Sequence, residues 1–312
     1  MRDHDKNTPR GCIWKIDRYA IHDGPGIRTS FYFKGCPLHC LWCANPEGQS
    51  PQRELGFLEE RCTHCGSCYH SCPSGALRVM RDVPVIDYLK CDVCEKCVSS
   101  CRVNALISYG VYYEIHQLLD IIERDRHAFR KTGGGITCTG GEPLHQPDFL
   151  KALFSQCQSR GIHTVLETSG YAEASTFREI LNHVDWLFFD LKHLDNSQHL
   201  KLTGQSNAII LNNLQIASDI LGKKGRSLVI RQVIVPGLND GENTDSLIQL
   251  ATRLPHVDMI ELLPYHSYGS CKYKALGKNY RLDDVFPPSK DYLLNVKNAI
   301  RKAGITCTIG GL

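Results

Sequence analysis

No stretch of this sequence approaches the roughly 20 consecutive apolar residues that cross a bilayer, so no transmembrane helix is expected. The first ten residues, Met1 to Arg10, are polar and lack the apolar core of a secretory signal. Charge of one sign is scarce too. The 36 Lys and Arg against 33 Asp and Glu leave a formal +3, spread along the chain, with no basic patch to hold nucleic acid or an anionic membrane. These absences read as a cytoplasmic, monomeric protein without nucleic-acid or membrane partners. What is abundant is cysteine. Sixteen cysteines without a secretion signal suit metal ligation better than disulfides. Eleven fall in tight clusters; the other five (Cys12, Cys138, Cys157, Cys271 and Cys307) are scattered, as small buried hydrophobes often are.

The first cluster is Cys36-x3-Cys40-x2-Cys43, just after the apolar run Ser30 to Phe33 and a glycine. Three thiolates this close can converge on one soft metal site, and three ligands leave one coordination position open. The alternative is structural zinc with Cys12 or His39 as a fourth ligand, although such zinc usually takes two short ligand pairs separated by a longer span.

Between Cys62 and Cys101 the sequence repeats itself: Cys62-x2-Cys65-x2-Cys68-x3-Cys72 is followed by Cys91-x2-Cys94-x2-Cys97-x3-Cys101, and each half then closes on Ala-Leu. This resembles the two-cluster bacterial ferredoxins, in which the fourth cysteine of each run ligates the other cluster. The resemblance implies one [4Fe-4S] cluster on Cys62, Cys65, Cys68 and Cys101, and another on Cys91, Cys94, Cys97 and Cys72. The second run departs from the pattern in having Arg102 where proline is usual. The ferredoxin-like α+β unit is expected over residues 50–109, inserted between residues 1–49 and 110–312 of a larger α/β domain.

In that larger domain, short apolar runs alternate with helical patterns. Ile115, Leu118, Leu119 and Ile122 share a helical face, strands are expected at Gly135–Thr139, His163–Glu167, Trp186–Asp190, Leu228–Val235 and Met259–Pro264, and helices fall between them. With Ser30–Gly35 as the first strand, six βα units predict a parallel sheet in a partial (β/α)6 barrel; a doubly wound sheet is the alternative on pattern alone. Polar motifs sit at the strand ends: the cysteine triplet, Gly140-Gly141-Glu142, Glu167-Thr168, Asp190-Leu191-Lys192 and Pro264-Tyr265-His266, with Arg231 inside the fifth strand. In α/β barrels the C-terminal strand ends form the active face. Convergence of six motifs on one mouth points to an enzyme, with Glu142 free to accept from an ammonium.

Asp23-Gly-Pro-Gly-Ile-Arg28, Cys36 through Pro46, Thr139 through Pro143, Asp190-Leu191-Lys192, Val235-Pro-Gly237 and Glu261 through His266 together resemble the glycyl-radical-enzyme activating enzymes, the radical S-adenosylmethionine (SAM) group typified by pyruvate formate-lyase activase. The resemblance implies that Cys36, Cys40 and Cys43 hold a third [4Fe-4S] cluster whose open iron binds SAM. It implies a SAM pocket of Trp42, Gly140, Gly141, Glu142, Asp190, Lys192, Arg231 and His266. It also implies a monovalent cation beside SAM at Thr168 and Asp190, where Glu167 replaces the usual Asp, and contact of Asp23 and Arg28 with the partner's glycine loop. The implied reaction is reductive cleavage of SAM and hydrogen abstraction from a backbone glycine of a glycyl radical enzyme, with ferredoxin or flavodoxin as the electron donor.

Overall fold

A computed structural model describes residues 9–80 and 83–310; the polar reading of residues 1–8 lies outside them. The chain opens with two antiparallel strands, β1 (Arg10–Ala20) and β2 (Arg28–Phe33). The cysteine-rich segment follows, with strands β3 (Glu54–Phe57), β4 (Leu77–Met80), β5 (Val83–Ile86) and β6 (Leu106–Tyr109) and the short helices α1 (Ser67–His70) and α2 (Lys96–Ser100). The chain then returns through β7 (Val111–Glu114) and alternates α3 (Ile115–Thr132), β8 (Gly135–Gly140), α4 (Pro147–Ser159), β9 (His163–Thr168), α5 (Ala174–Leu181) and β10 (Trp186–Asp190). After α6 (Asn196–Thr203) and α7 (Ala208–Lys224) come β11 (Ser227–Ile234), α8 (Glu242–Arg253), β12 (Met259–Pro264), α9 (Ser270–Ala275), α10 (Lys290–Lys302) and β13 (Cys307–Ile309).

The main sheet has nine strands in the order β13-β12-β11-β10-β9-β8-β2-β1-β7. From β2 to β13 the strands are parallel and follow chain order, so each crossover moves the same way and the helices collect on one face. That succession settles the choice against a doubly wound sheet, whose order reverses at a switch point. Six parallel strands stand where the spacing predicts them. The antiparallel pair β1 and β7 on one edge was not expected, nor were α6 and α9.

Strand alternation separates two interiors. One face of the sheet packs on the helices in a single core that includes Phe31, Phe33, Ile136, Leu166, Leu187, Phe189, Ile230 and Ile260. Helix α3 contributes Ile115, Leu118 and Ile122 as its spacing predicts, and it starts in a capping box between Glu114 and Gln117. The other face carries a small apolar plug of Val165, Phe188 and Val229, flanked by Trp186 and Met259. Above that plug, toward the C-terminal strand ends, the same strands turn polar.

The cysteine-rich segment forms two antiparallel ladders, β3 with β6 and β4 with β5, around a core of Leu55, Leu77, Cys97 and Leu106. Its repeat is also a repeat of backbone shape. His64 and Val93, each two residues after the first cysteine of its run, are left-handed (φ 57° and 53°), and so are Gly66 and Glu95 (φ 74° and 64°). For the β-branched Val93 this is an unfavourable conformation, costing about 1–2 kcal/mol. Val93→Gly should therefore stabilise the full chain by about 1 kcal/mol once glycine's unfolded-state entropy is set against the relief, read as a higher urea midpoint in far-UV circular dichroism.

Candidate functional site

The loop carrying Cys36, Cys40 and Cys43 leaves β2 through Gly35, whose φ of 93° and closeness to His145 leave no room for a side chain. Backbone bonds fasten the loop at several points. The Gly35 and Cys36 N–H groups donate to the carbonyls of Gly48 (2.8 Å) and Gln49 (3.0 Å), and His39 and Leu41 donate to Thr203 (2.7 Å) and Leu202 (3.0 Å) at the end of α6. The three thiols then face a cavity of about 400 Å³ at the C-terminal ends of the strands. Trp42, Gly140, Gly141, Glu142, Glu167, Thr168, Asp190, Lys192 and His266 also line it, and no fourth cysteine does.

Burial pushes all three thiols above their ordinary range, Cys40 to about 12, so bare thiolates would be costly there without a cationic partner. A [4Fe-4S] cluster fits this donor set: soft ligands, three of them, and an open side toward the cavity. Tetrahedral zinc needs its ligands gathered about one point at roughly 2.3 Å. Among the described residues, no three His, Cys, Asp or Glu side chains are gathered in that way.

The Gly140-Gly141 turn lies against the triplet loop. Gly141 donates to the Phe33 carbonyl and Glu142 to that of Gly35, both at 2.8 Å. A Cβ on Gly141 would come within 2.4 Å of the Gly48 oxygen and 2.5 Å of the Gly35 oxygen, so glycine is what permits the approach. Glu142 corrects an expectation. Its carboxylate is buried, with Thr168 Oγ1 (2.6 Å) and Leu144 N (3.1 Å) donating to one oxygen and Ser169 N (2.9 Å) and Oγ (2.6 Å) to the other. Four donors fill its acceptor capacity. Glu142 clamps the loop after β9 and is not free for an ammonium.

The inward side chains of β8 to β12 form a charged layer beneath the cavity. Thr139 donates to Glu167 (2.9 Å), Arg231 pairs with Glu167 (3.3 Å) and Glu261 (2.5 Å), and the Arg231 guanidinium stacks 3.3 Å from the Phe188 ring centre. Arg231 thus lies below the floor and does not line the cavity; its charge is engaged by the buried Glu261 and the cavity-lining Glu167. The cation that lines the cavity is Lys192, 3.2 Å from Asp190. Burial opposes its charge, but Asp190, with Cys40 and Glu167 nearby, holds the ammonium above its ordinary range. His266 lies exposed at the rim, stacked on Tyr268 with ring centroids 4.5 Å apart.

Glu167, Thr168 and Asp190 line the same cavity, each with a partner in this structure: Thr168 donates to Glu142 and accepts from Gly170 N, Glu167 is engaged by Arg231 and Thr139, and Asp190 by Lys192. One further expectation changes. Arg28 is fully buried at the opposite end of β2, donating to Thr137 Oγ1 (2.7 Å) and to the carbonyls of Pro25 (2.8 Å), Ile136 and His163 (3.2 Å), out of a partner's reach. Asp23 is only partly buried and accepts from Ser30 Oγ at 2.5 Å. Asn45, Gln49 and Tyr265 also line the cavity; Asn45 and Tyr265 lie inside the motifs but carry no charge to mark them, and Gln49 lies just past the triplet loop.

In the insert the cysteines sort into two hollows. Cys62, Cys65, Cys68 and Cys101 line one of about 180 Å³, and Cys72, Cys91, Cys94 and Cys97 line a tighter one. Each hollow takes three cysteines from one run and the last of the other.

Residues 31–248 match the Radical SAM superfamily. Over its length the chain is similar to the indoleacetate decarboxylase activating enzyme of Tractidigestivibacter scatoligenes, with 34% identity covering 99% of this chain and 100% of that one. It is 37% identical to the 4-hydroxyphenylacetate decarboxylase activating enzyme of Clostridioides difficile (strain 630), covering 96% of each. It is 39% identical to the isethionate sulfite-lyase activating enzyme of Oleidesulfovibrio alaskensis, covering 90% of this chain and 91% of the other.

Glu142→Gln sets an amide NH2 against the donors of Leu144, Thr168 and Ser169, and should cost about 3 kcal/mol of stability in urea unfolding. Lys192→Met leaves the mostly buried Asp190 without its cation and should cost about 2 kcal/mol of stability, while weakening binding of SAM in equilibrium dialysis about tenfold or more.

Proposed function

The chain belongs to the radical SAM superfamily, among the activating enzymes of glycyl radical enzymes, and from that premise we propose how its residues divide the work. Cys36, Cys40 and Cys43 would hold a [4Fe-4S] cluster, which when bound would supply the electron for reductive cleavage of SAM to methionine and a 5′-deoxyadenosyl radical able to take hydrogen from a backbone glycine of the partner. The observation that carries this reading is the thiol triplet facing the cavity of about 400 Å³ together with Lys192, the one Lys or Arg lining it among the described residues. Lys192 is the group for the SAM carboxylate, and the Gly140-Gly141 backbone, free of side chains, lets the methionyl end approach the triplet. Trp42 walls the cavity, and its burial among Leu202, Val235, Tyr265 and Leu282 keeps that wall rigid and dry. His266 and Tyr268 stand at the mouth, where the partner's glycine loop would enter, and Asp23 is the remaining partner contact.

The acid-lined interior substitutes an internal Arg231 pair for most of the charge that a monovalent cation would bring, so a cation bound there would have to use Asp190 and backbone oxygen. Residues 50–109 hold two more [4Fe-4S] clusters on the crossed cysteine sets and relay electrons from a ferredoxin or flavodoxin. Support comes from the sorting of the eight cysteines into two hollows and from the paired left-handed turns around them.

Anaerobic reconstitution should load about twelve irons per chain; about four would remove the insert from the reading. With SAM and a reductant, one among an arylacetate decarboxylase, an isethionate sulfite-lyase and other glycyl radical enzymes should develop a glycyl doublet in electron paramagnetic resonance. SAM cleavage without a doublet from any of them would point to a different radical SAM substrate.

A further inference from the structure

The turn Val235-Pro-Gly237 stands among the motifs of the sequence, yet none of its residues lines the cavity. Its effect is on the chain that follows. Gly237 is left-handed (φ 75°), and the N–H groups of Leu238 and Asn239 donate to the Val235 carbonyl (3.1 and 3.3 Å), which folds the Asn239 side chain back against the end of β11.

There the sheet has a gap. Strand β10 ends at Asp190 while β11 runs on to Ile234. Leu191 still donates to the Arg231 carbonyl (2.9 Å), and the chain then leaves the sheet at Lys192. Peptide groups alternate in direction along a strand, so the Val233 carbonyl, two residues beyond Arg231, points to the same vacated side. The Asn239 amide fills that place: its NH2 donates to the carbonyls of Val233 (2.7 Å) and Lys192 (3.2 Å), and its oxygen accepts from Val235 N (2.8 Å). Two donors and one acceptor on a short stem are what the gap requires; a carboxylate would set oxygen against two carbonyls.

Two more asparagines complete the hold. Asn243, in the first turn of α8, accepts from Leu194 N (2.8 Å) and donates to the Asn239 carbonyl (2.9 Å). Asn207, directly before α7, donates to the carbonyls of His193 (3.1 Å) and Leu194 (2.7 Å). All three are buried, so the carbonyls of Lys192, His193 and Leu194 are each held by an asparagine amide away from solvent. The held segment leads into α6, whose Leu202 and Thr203 carbonyls accept from Leu41 and His39 in the thiol loop. One frame therefore carries both the lysine and the thiols.

Lys192 needs such a frame. Its four-carbon stem has free rotation, Asp190 holds only the ammonium end at 3.2 Å, and ordering a loose lysine when a ligand binds weakens that ligand severalfold. We infer that Asn239 is a positioning residue for Lys192: it fixes the lysine's own peptide so that the ammonium stands ready for the carboxylate of SAM, with Asn207 and Asn243 fixing the two residues after it. This rests on Lys192 taking that carboxylate, as proposed above. Asn239 itself does not line the cavity and acts through the lysine.

The test is a double-mutant cycle in the full reconstituted chain, read as SAM binding in anaerobic equilibrium dialysis with urea unfolding alongside. Asn239→Ala should weaken SAM about fivefold in the parent and by less than about twofold when added to Lys192→Met, because its effect runs through the lysine. Ser218→Ala removes a buried hydroxyl that donates to the His256 carbonyl (2.7 Å) and accepts from its N–H (2.8 Å), and should lose stability while binding SAM as the parent does. Should Asn239→Ala not fold, Asn243→Ala carries the same cycle, with a loss of about threefold in the parent and none beside Lys192→Met. Equal weakening in both backgrounds, a loss matched by Ser218→Ala, or unchanged binding in Asn239→Ala would make the asparagines general braces and overturn the inference. The premise fails separately, as a Lys192→Met chain that binds SAM like the parent.

Discussion

Everything at the mouth of this barrel depends on two loops being allowed to touch. The turn after β8 presses its backbone onto the loop after β2 through the Gly141–Phe33 and Glu142–Gly35 hydrogen bonds, at a distance that a single methyl group would forbid. The buried Glu142 carboxylate then draws in the loop after β9 by its bonds to Thr168 and Ser169. Three strand ends are locked together by one glycine pair and one acid. The cavity beside the thiols is the space those contacts leave open, so its shape is set by backbone packing and does not rely on flexible side chains.

That arrangement explains which parts were legible in the sequence. Cysteine spacing is a local property, and the triplet and the crossed runs can be read without knowing the fold. Parallel strands buried on both faces, against the helices on one side and the small plug on the other, read as apolar runs, which is why β8 to β12 stand where expected. Strand β1 is different: Arg10–Ala20 intersperses Lys15, Asp17 and Arg18, beyond the short pairing with β7, with its apolar residues, and its pairing with β2 and β7 is decided by partners elsewhere in the chain. The motif residues Arg28, Glu142 and Arg231 were recognised as important, but their roles were misjudged for one shared reason. Each is a charged group buried against at least one partner distant in sequence, Thr137 for Arg28, Thr168 for Glu142 and Glu261 for Arg231, and burial turns a ligand candidate into a brace.

The replacement of Asp by Glu at position 167 shows how one methylene redistributes charge. The longer acid spans to Arg231 and Thr139, reaching down into the polar layer. Arg231 in turn sits on the Phe188 ring that caps the apolar plug, so the plug, the guanidinium and the two glutamates form one stack from the bottom of the barrel to the cavity floor. Each layer limits the freedom of the next.

The balance of that stack bears on what the cavity accepts. Among the described residues four acids, Glu142, Glu167, Asp190 and Glu261, stand below and beside it against two cations, Arg231 and Lys192, and one oxygen of Glu261 is buried without a hydrogen-bond partner. Ligation by Cys36, Cys40 and Cys43 adds thiolate charge on the same side. A ligand entering here meets a surface short of positive charge, in a place where burial strengthens every Coulombic term. A sulfonium with an ammonium and a carboxylate carries a net single positive charge: its carboxylate can take Lys192 while its cationic groups offset the acids. An anionic or neutral nucleoside would leave the acids uncompensated. On the proposed reading, the barrel floor as well as the open thiol triplet above it would favour a sulfonium ligand.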